Sequence, residues 1–152
     1  MKRSLGRNVL RVITLTLAFM LLLNVDVYAS RAHFSQSAGT AATFSGSVHV
    51  FRPAGQPYNR RIVNASTIFA SGNAAFNNTN ASVQLTVLDA VTGRQLFFRS
   101  NNATWRLPMS EAFTEVHSGV LTASNGTRGV RANTVHRVTG PVSFSRNLST
   151  SF

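Results

Sequence analysis

Apolar and polar side chains alternate along the chain after residue 29, in short runs that turn-forming residues separate. No segment there has the apolar spacing of about 3.6 residues that is typical of an amphipathic helix. Because successive side chains of a strand point to opposite faces, alternation indicates half-buried strands. The pattern predicts an all-β fold, a single antiparallel β-sandwich of about seven or eight strands.

Residues 1–29 have the features of a secretory signal peptide. Basic residues come first, an apolar run follows from Val12 to Leu23, and the small residue Ala29 lies where a signal peptidase would cut. The apolar run is shorter than the roughly 20 residues that a membrane-spanning helix needs. We expect cleavage after Ala29 or Ala32, and a secreted protein that associates with the cell surface or wall.

The expected mature chain has two parts. Residues 30–43 are small and polar, which is typical of a flexible or edge segment. Residues 44–152 carry the alternating runs and form the expected β-sandwich domain. Cysteine is absent from the chain, so no disulfide bond supports this domain, and its stability has to come from its core.

The segment from Ser82 to Ser100 predicts a β-hairpin. In the expected register, Val87 lies opposite Leu96 and Leu85 lies opposite Phe98. This pairing puts apolar side chains on one face of the hairpin and gives a mixed face on the other, where Thr86 lies opposite Phe97 and Gln84 lies opposite Arg99.

A second hairpin is predicted from Asn125-Gly126, because this dipeptide suits the positive φ angles of a type I′ turn. In that register Glu115 lies opposite His136, and His117 lies on the same face within about 8 Å. Two imidazoles and a carboxylate at that separation suit a divalent metal such as zinc, or a Glu–His acid–base pair. The alternative is an ordinary cross-strand ion pair of Glu115 and His136, with His117 in solvent.

The chain is strongly basic, with 15 Lys and Arg against 4 Asp and Glu and a formal net charge of +11. After removal of the leader, every remaining Lys/Arg cation is arginine, and the only acidic side chains are Asp89, Glu111 and Glu115. Guanidinium groups bind carboxylates and phosphates through two parallel hydrogen bonds. We therefore expect a binding surface for anionic polymers at Arg60, Arg61, Arg128, Arg131 and Arg137.

Catalytic motifs are missing from the sequence. It contains no Gly-x-Ser-x-Gly elbow, phosphate-binding loop or dinucleotide fingerprint, so we expect a non-enzymatic protein without a cofactor. Aromatic residues occupy alternating core positions instead of lying between arginines, which argues against specific nucleic-acid recognition. The expected partner is an anionic cell-wall or matrix polymer, and the charge also suits peripheral contact with a membrane.

The segments Gly119–Thr122 and Gly129–His136 resemble small secreted β-sandwich proteins of Gram-positive bacteria. In those proteins a strand that contains an Arg and a His lies near the C-terminus and follows a glycine-containing strand, a pattern matched here by Arg131 and His136. The resemblance implies a β-sandwich fold and an extracellular location. It implies no mechanism.

The leading hypothesis is a secreted, non-enzymatic protein that binds anionic polymers at the cell surface or in the extracellular matrix. A second hypothesis is a secreted bacteriocin-like or membrane-active antagonist, which a cationic surface also suits. A third is a metal-dependent hydrolase that uses Glu115, His117 and His136.

Overall fold

A computed structural model describes residues 27–37, 41–124 and 129–152, with the backbone alone for residues 27–29. No helix in these ranges is long and apolar enough to cross a bilayer. The elements along the chain are β1 (Val27–Ser37), β2 (Ala42–Arg52), β3 (Arg60–Ser71), a short 3-10 helix (Ala74–Phe76), β4 (Thr79–Asp89), β5 (Gln95–Trp105), β6 (Glu111–Thr122), β7 (Val130–Thr139) and β8 (Phe144–Ser151).

The strands form two antiparallel sheets of four strands each. Sheet A has the order β1-β2-β3-β6, and sheet B has the order β5-β4-β7-β8. The sheets pack face to face, with β1 against β8 at one edge and β6 against β5 at the other. The predicted all-β sandwich is therefore confirmed for the described residues.

Two apolar clusters fill the space between the sheets. One consists largely of valines and includes Val48 and Val83, and the other is aromatic and includes Phe44 and Trp105. These four side chains are at most 1% exposed. Burying one side chain of this kind contributes about 1.5–3 kcal/mol, so the clusters stabilise a domain that has no disulfide bond.

Residues 30–43 are expected to form a flexible or edge segment, and the structure shows the edge alternative, because residues 30–37 belong to the edge strand β1 and residues 42–43 begin β2. Phe34 of β1 points inward, and its ring packs edge-on against the ring of Phe44 at 4.9 Å between centroids. The segment is polar because β1 is an edge strand whose outward side chains meet solvent. The sandwich therefore includes β1 and does not start at residue 44.

The predicted signal peptide falls mainly on residues 1–26, which lie outside the described residues. The last part of it, from Val27, belongs to β1. The pairing of β1 with β2 shifts register between Tyr28 and Ser30, next to the predicted cleavage site after Ala29.

β4 and β5 form the predicted hairpin with a different register. Val87 lies opposite Phe97, whereas Leu96 was the predicted partner. A β-bulge causes the shift, because it inserts an extra residue into β5 near Leu96. As a result Leu96 and Phe97 both pack against the core, and Phe98 points out of the sheet.

The predicted hairpin of β6 and β7 is wrong, because these strands belong to different sheets. β6 pairs with β3, whereas β7 pairs with β4 and β8. The proposed turn at Asn125-Gly126 lies outside the described residues. Between Thr122 and Val130 the chain passes from sheet A to sheet B.

The buried carboxylate of Asp89 ties this connection to the turn after β4. It accepts hydrogen bonds from the backbone N–H groups of Val91 at 3.0 Å, Thr92 at 2.9 Å and Ser124 at 2.6 Å. A hydrogen bond from the Ser124 side chain, together with these backbone donors, holds the pKa of Asp89 well below its ordinary value. The ionised carboxylate therefore stabilises one end of the sandwich at neutral pH.

The variant D89N tests this contribution. Asparagine offers one acceptor oxygen and no charge, so several of the N–H groups lose a charge-assisted hydrogen bond. We expect the midpoint of thermal unfolding at pH 7, followed by circular dichroism, to fall by several degrees. The matched variant E111Q neutralises an exposed carboxylate on β6 and should leave the midpoint unchanged. Equal midpoints for D89N and the parent protein would contradict this role.

Candidate functional site

The structure brings together only two of the three side chains predicted to form a metal or acid–base site. Glu115 and His117 lie on β6 and point out of sheet A, whereas His136 lies on β7 and points into the core. The prediction fails because it required β6 and β7 to be neighbours in one sheet. Within the described ranges, no group of three or more His, Asp or Glu side chains has an arrangement that suits a metal ion.

Glu115 and His117 instead interact with each other on the surface of sheet A. His117 Nε2 lies 2.7 Å from Glu115 Oε1, and His117 Nδ1 lies 2.7 Å from Asn64 Oδ1. Both side chains are about half exposed. An exposed pair of this kind contributes little to stability, because water screens it.

His136 is fully buried between the sheets, where two threonines hold its imidazole. Its Nδ1 lies 2.8 Å from Thr67 Oγ1, and its Nε2 lies 2.8 Å from Thr134 Oγ1. Because the Thr67 hydroxyl donates its own proton to the carbonyl of Ser82, it accepts from Nδ1–H. The Thr134 hydroxyl lies 3.4 Å from the carbonyl oxygen of Leu148 but only 2.8 Å from Nε2, so it donates its proton to Nε2. This network assigns a neutral imidazole with its proton on Nδ1. Burial lowers the pKa of His136 to about 4.

Gly46 of β2 leaves the space that this imidazole occupies. A Cβ atom at residue 46 would lie 2.5 Å from His136 Nδ1 and 2.6 Å from Phe34 Cε1. The ring of Phe34 in turn packs edge-on against the imidazole, with 5.4 Å between centroids. Through Thr67 of sheet A and Thr134 of sheet B, His136 joins the two sheets.

The arginines predicted to bind anionic polymers do not share one surface. Arg131 and Arg137 are exposed and point out of sheet B. Arg60 points out of sheet A, on the opposite side of the sandwich. Arg128 lies outside the described residues. The structure thus brings Arg131 and Arg137 onto one strand face, as the alternation predicts, and separates Arg60 from them.

Arg61 is buried, so the prediction that it belongs to a binding surface is wrong. Its side chain is 3% exposed, and its guanidinium carbon lies 4.1 Å from the centroid of the Phe152 ring. Its Nη1 donates to the carbonyl oxygens of Tyr58 and Arg60. Adjacent side chains of a regular strand point to opposite faces of the sheet. Because Arg60 points outward, Arg61 points inward.

The outward-facing residues of each sheet form a face with its own charge. Face A comprises the odd-numbered residues 31–37, 43–51 and 111–117 and the even-numbered residues 60–70. Face B comprises the even-numbered residues 80–88 and 98–104 and the odd-numbered residues 131–139 and 145–151. Face A carries Arg31 and Arg60 but also Glu111 and Glu115. Face B carries Arg131 and Arg137 and has no carboxylate side chain.

Most other side chains of face B are amides and hydroxyls. Five of them line a depression of about 390 Å³ that Arg137 also lines, namely Asn80, Ser82, Gln84, Ser100 and Asn102. An amide group donates and accepts hydrogen bonds, and so does a hydroxyl. Face B therefore combines fixed positive charge with many neutral hydrogen-bonding groups.

No protein-family model and no curated protein sequence matches this chain. Among solved structures, one described as "Crystal structure of protein from Archaeoglobus fulgidus" has 10% sequence identity and a TM-score of 0.37. The match covers 82% of this chain and 94% of that chain. This structural similarity is too low to support an inference about fold or function.

Sequence reasoning missed the amides of β4 and β5 and the exposed ring of Phe98. The outward direction of the polar side chains of β4 was predictable, because Asn80, Ser82 and Gln84 alternate with buried apolar residues. The position of Phe98 depends on the bulge near Leu96, and no residue in the sequence marks that bulge.

The buried imidazole of His136 predicts a loss of stability in mild acid. The unfolded chain binds a proton on His136 below its ordinary pKa of 6.5, whereas the folded state resists protonation until about pH 4. The free energy of unfolding should therefore be highest above pH 6.5 and decline towards pH 4, with up to about 3 kcal/mol from this group.

Urea unfolding at several pH values between 7.5 and 4.5 measures this decline. The variant H136Q should unfold more easily at pH 7.5 and lose less stability on acidification, because its residue 136 does not titrate. The control variant H117Q removes an exposed imidazole and should keep the decline of the parent protein. The same decline in H136Q as in the parent would show that His136 is not its source.

Proposed function

We propose that this protein is a secreted, non-enzymatic binding protein that attaches to anionic polymers outside the cell through face B. The observation that carries the proposal is the charge of face B, where Arg131 and Arg137 are exposed and no carboxylate side chain opposes them. Charged groups of one sign on a surface attract polymers of the other sign and hold them most strongly at low salt.

Charge distribution favours face B over face A. The two glutamates of β6 offset the two arginines of face A, and Asp89 is buried in hydrogen bonds to backbone groups. Within the described residues, neither Arg131 nor Arg137 forms an ion pair. Their guanidinium groups are therefore open to phosphate or carboxylate groups of a ligand.

The spacing of Arg131 and Arg137 favours an extended ligand. They are six residues apart on β7, so with a rise of about 3.3 Å per residue their Cα atoms are separated by roughly 20 Å. A single small anion cannot reach both guanidinium groups at that distance, whereas a polymer with repeated anionic groups can.

The proposed location outside the cell is supported by the signal-peptide features of residues 1–29 and by the resemblance to secreted proteins of Gram-positive bacteria. Cleavage after Ala29 suits the fold better than cleavage after Ala32. A chain that begins at Ser30 keeps Ala32, which packs against the core, and the hydrogen bond between Ser30 and Thr150.

The double variant R131Q/R137Q tests the proposed surface. We expect weaker retention on purified cell wall and on long-chain polyphosphate, and a shallower fall of log affinity with log salt concentration. Each lost phosphate contact reduces that slope by roughly 0.7–0.9, so we expect a reduction of about 1.5. The measurement is a pull-down and a titration over a series of salt concentrations.

The control R31Q/R60Q removes the same charge from face A. It should retain the affinity and salt dependence of the parent protein, because these side chains lie on the opposite face. An equal loss in both double variants would attribute binding to net charge and overturn the assignment to face B. Retention of the parent protein that does not change with salt would overturn the proposal itself.

A further inference from the structure

Face B offers more than positive charge, and its other groups restrict the ligand. Besides Arg131 and Arg137 it carries amides and hydroxyls along β4 and β5 and one strongly exposed aromatic ring, that of Phe98. Attraction of a negatively charged polymer requires only the arginines. The depression beside Arg137 and the ring of Phe98 add further possible contacts.

The side chains that surround the depression suit a ligand rich in hydroxyl groups. Ser100 and Asn102 of β5 are exposed, and Ser82 and Gln84 of β4 are half-buried beside them. These side chains can donate to and accept from a hydroxyl. A chain of sugar residues presents such groups at every unit, whereas polyphosphate presents acceptors alone.

The ring of Phe98 is placed to stack against a sugar ring of a polysaccharide bound to face B. It is opposite Thr86, which is opposite Asn133, so its row crosses face B between the rows of Arg131 and Arg137. Its side chain is 53% exposed, although the neighbouring Phe97 packs against the core. The ring face of an exposed phenylalanine packs against the C–H groups of a sugar ring, since its π-system carries partial negative charge.

The number of aromatic residues favours a polysaccharide over a single-stranded nucleic acid. Proteins that bind single strands stack successive bases on several aromatic side chains in a basic groove. Face B has one aromatic residue and is otherwise mainly Asn, Ser, Thr and Gln. Phosphate groups only accept hydrogen bonds, whereas the amides and hydroxyls of face B both donate and accept. One aromatic ring is too few to stack a series of bases.

We propose that the ligand of face B is an acidic polysaccharide, with Arg131 and Arg137 binding carboxylates of the chain, the amides beside Arg137 binding its hydroxyls, and Phe98 packing against a sugar ring. This inference rests on the proposed function, because it names the class of anionic polymer that face B binds. It adds Phe98 and Asn102 to the binding residues.

The experiment compares three polymers of similar chain charge: polygalacturonate, long-chain polyphosphate and single-stranded DNA. Isothermal titration at two salt concentrations measures each affinity for the parent protein and for F98A, N102A and F113A. Phe113 is the matched control, because its side chain is 47% exposed on face A. All variants are first compared by circular dichroism, which confirms that their sheets are intact.

Polygalacturonate should bind most tightly and should keep measurable affinity at the higher salt concentration. F98A should lower its affinity about tenfold, the size expected for one lost aromatic contact. N102A should lower it several-fold, and neither variant should change the affinity for polyphosphate. F113A should bind all three polymers as the parent protein does.

The results separate this inference from the proposed function. If R131Q/R137Q weakens binding of every polymer and F98A weakens none, face B binds anions without selecting sugars, and the inference is overturned while the proposed function stands. Tighter binding of single-stranded DNA, with loss in F98A, would also overturn it in favour of a nucleic acid. If the parent protein binds none of the three polymers, both proposals fail.

Discussion

The two-residue alternation of side chains along β7 connects the core of this protein to its candidate site. Even-numbered residues of β7 point inward, where His136 binds Thr67 across the sandwich, and odd-numbered residues point outward, where Arg131 and Arg137 lie. A shift of one residue would exchange the two sets, burying both guanidinium groups and exposing the imidazole. The packing around His136 therefore fixes the direction of the arginines as well.

Fixing that direction gives the two faces different chemistry. Both glutamates lie on β6, so they reduce the net positive charge of face A alone. The carboxylate of Asp89 is hydrogen-bonded to backbone N–H groups at one end of the sandwich. Face B is left with arginines, amides and hydroxyls. The face without carboxylate side chains is the surface that we propose for anion binding, in place of a diffuse positive charge over the whole protein.

Much of the fold followed from local pattern. Alternation identified the all-β class and placed Arg131 and Arg137 together, because inward and outward positions depend only on the period of a strand. Which strands become neighbours depends on contacts far apart in sequence, and the predicted pairing of β6 with β7 rests on Asn125-Gly126 alone. That error produced the predicted cluster of Glu115, His117 and His136, whereas His136 lies in a different sheet from the other two.

Other parts of the site required side-chain packing that no local signal shows. The bulge in β5 turns Phe98 outward and lets Leu96 and Phe97 both pack against the core. Arg61 looks like a surface cation beside Arg60, yet it points inward onto the ring of Phe152.

Backbone amide chemical shifts of the protein, recorded by two-dimensional NMR during titration with polygalacturonate, test the central claim most directly. Binding at face B predicts shifts that concentrate on β4, β5 and β7, strongest near Phe98, Arg131 and Arg137, while β1, β2, β3 and β6 stay unchanged. Shifts concentrated on sheet A, or spread evenly over both sheets, would contradict the account.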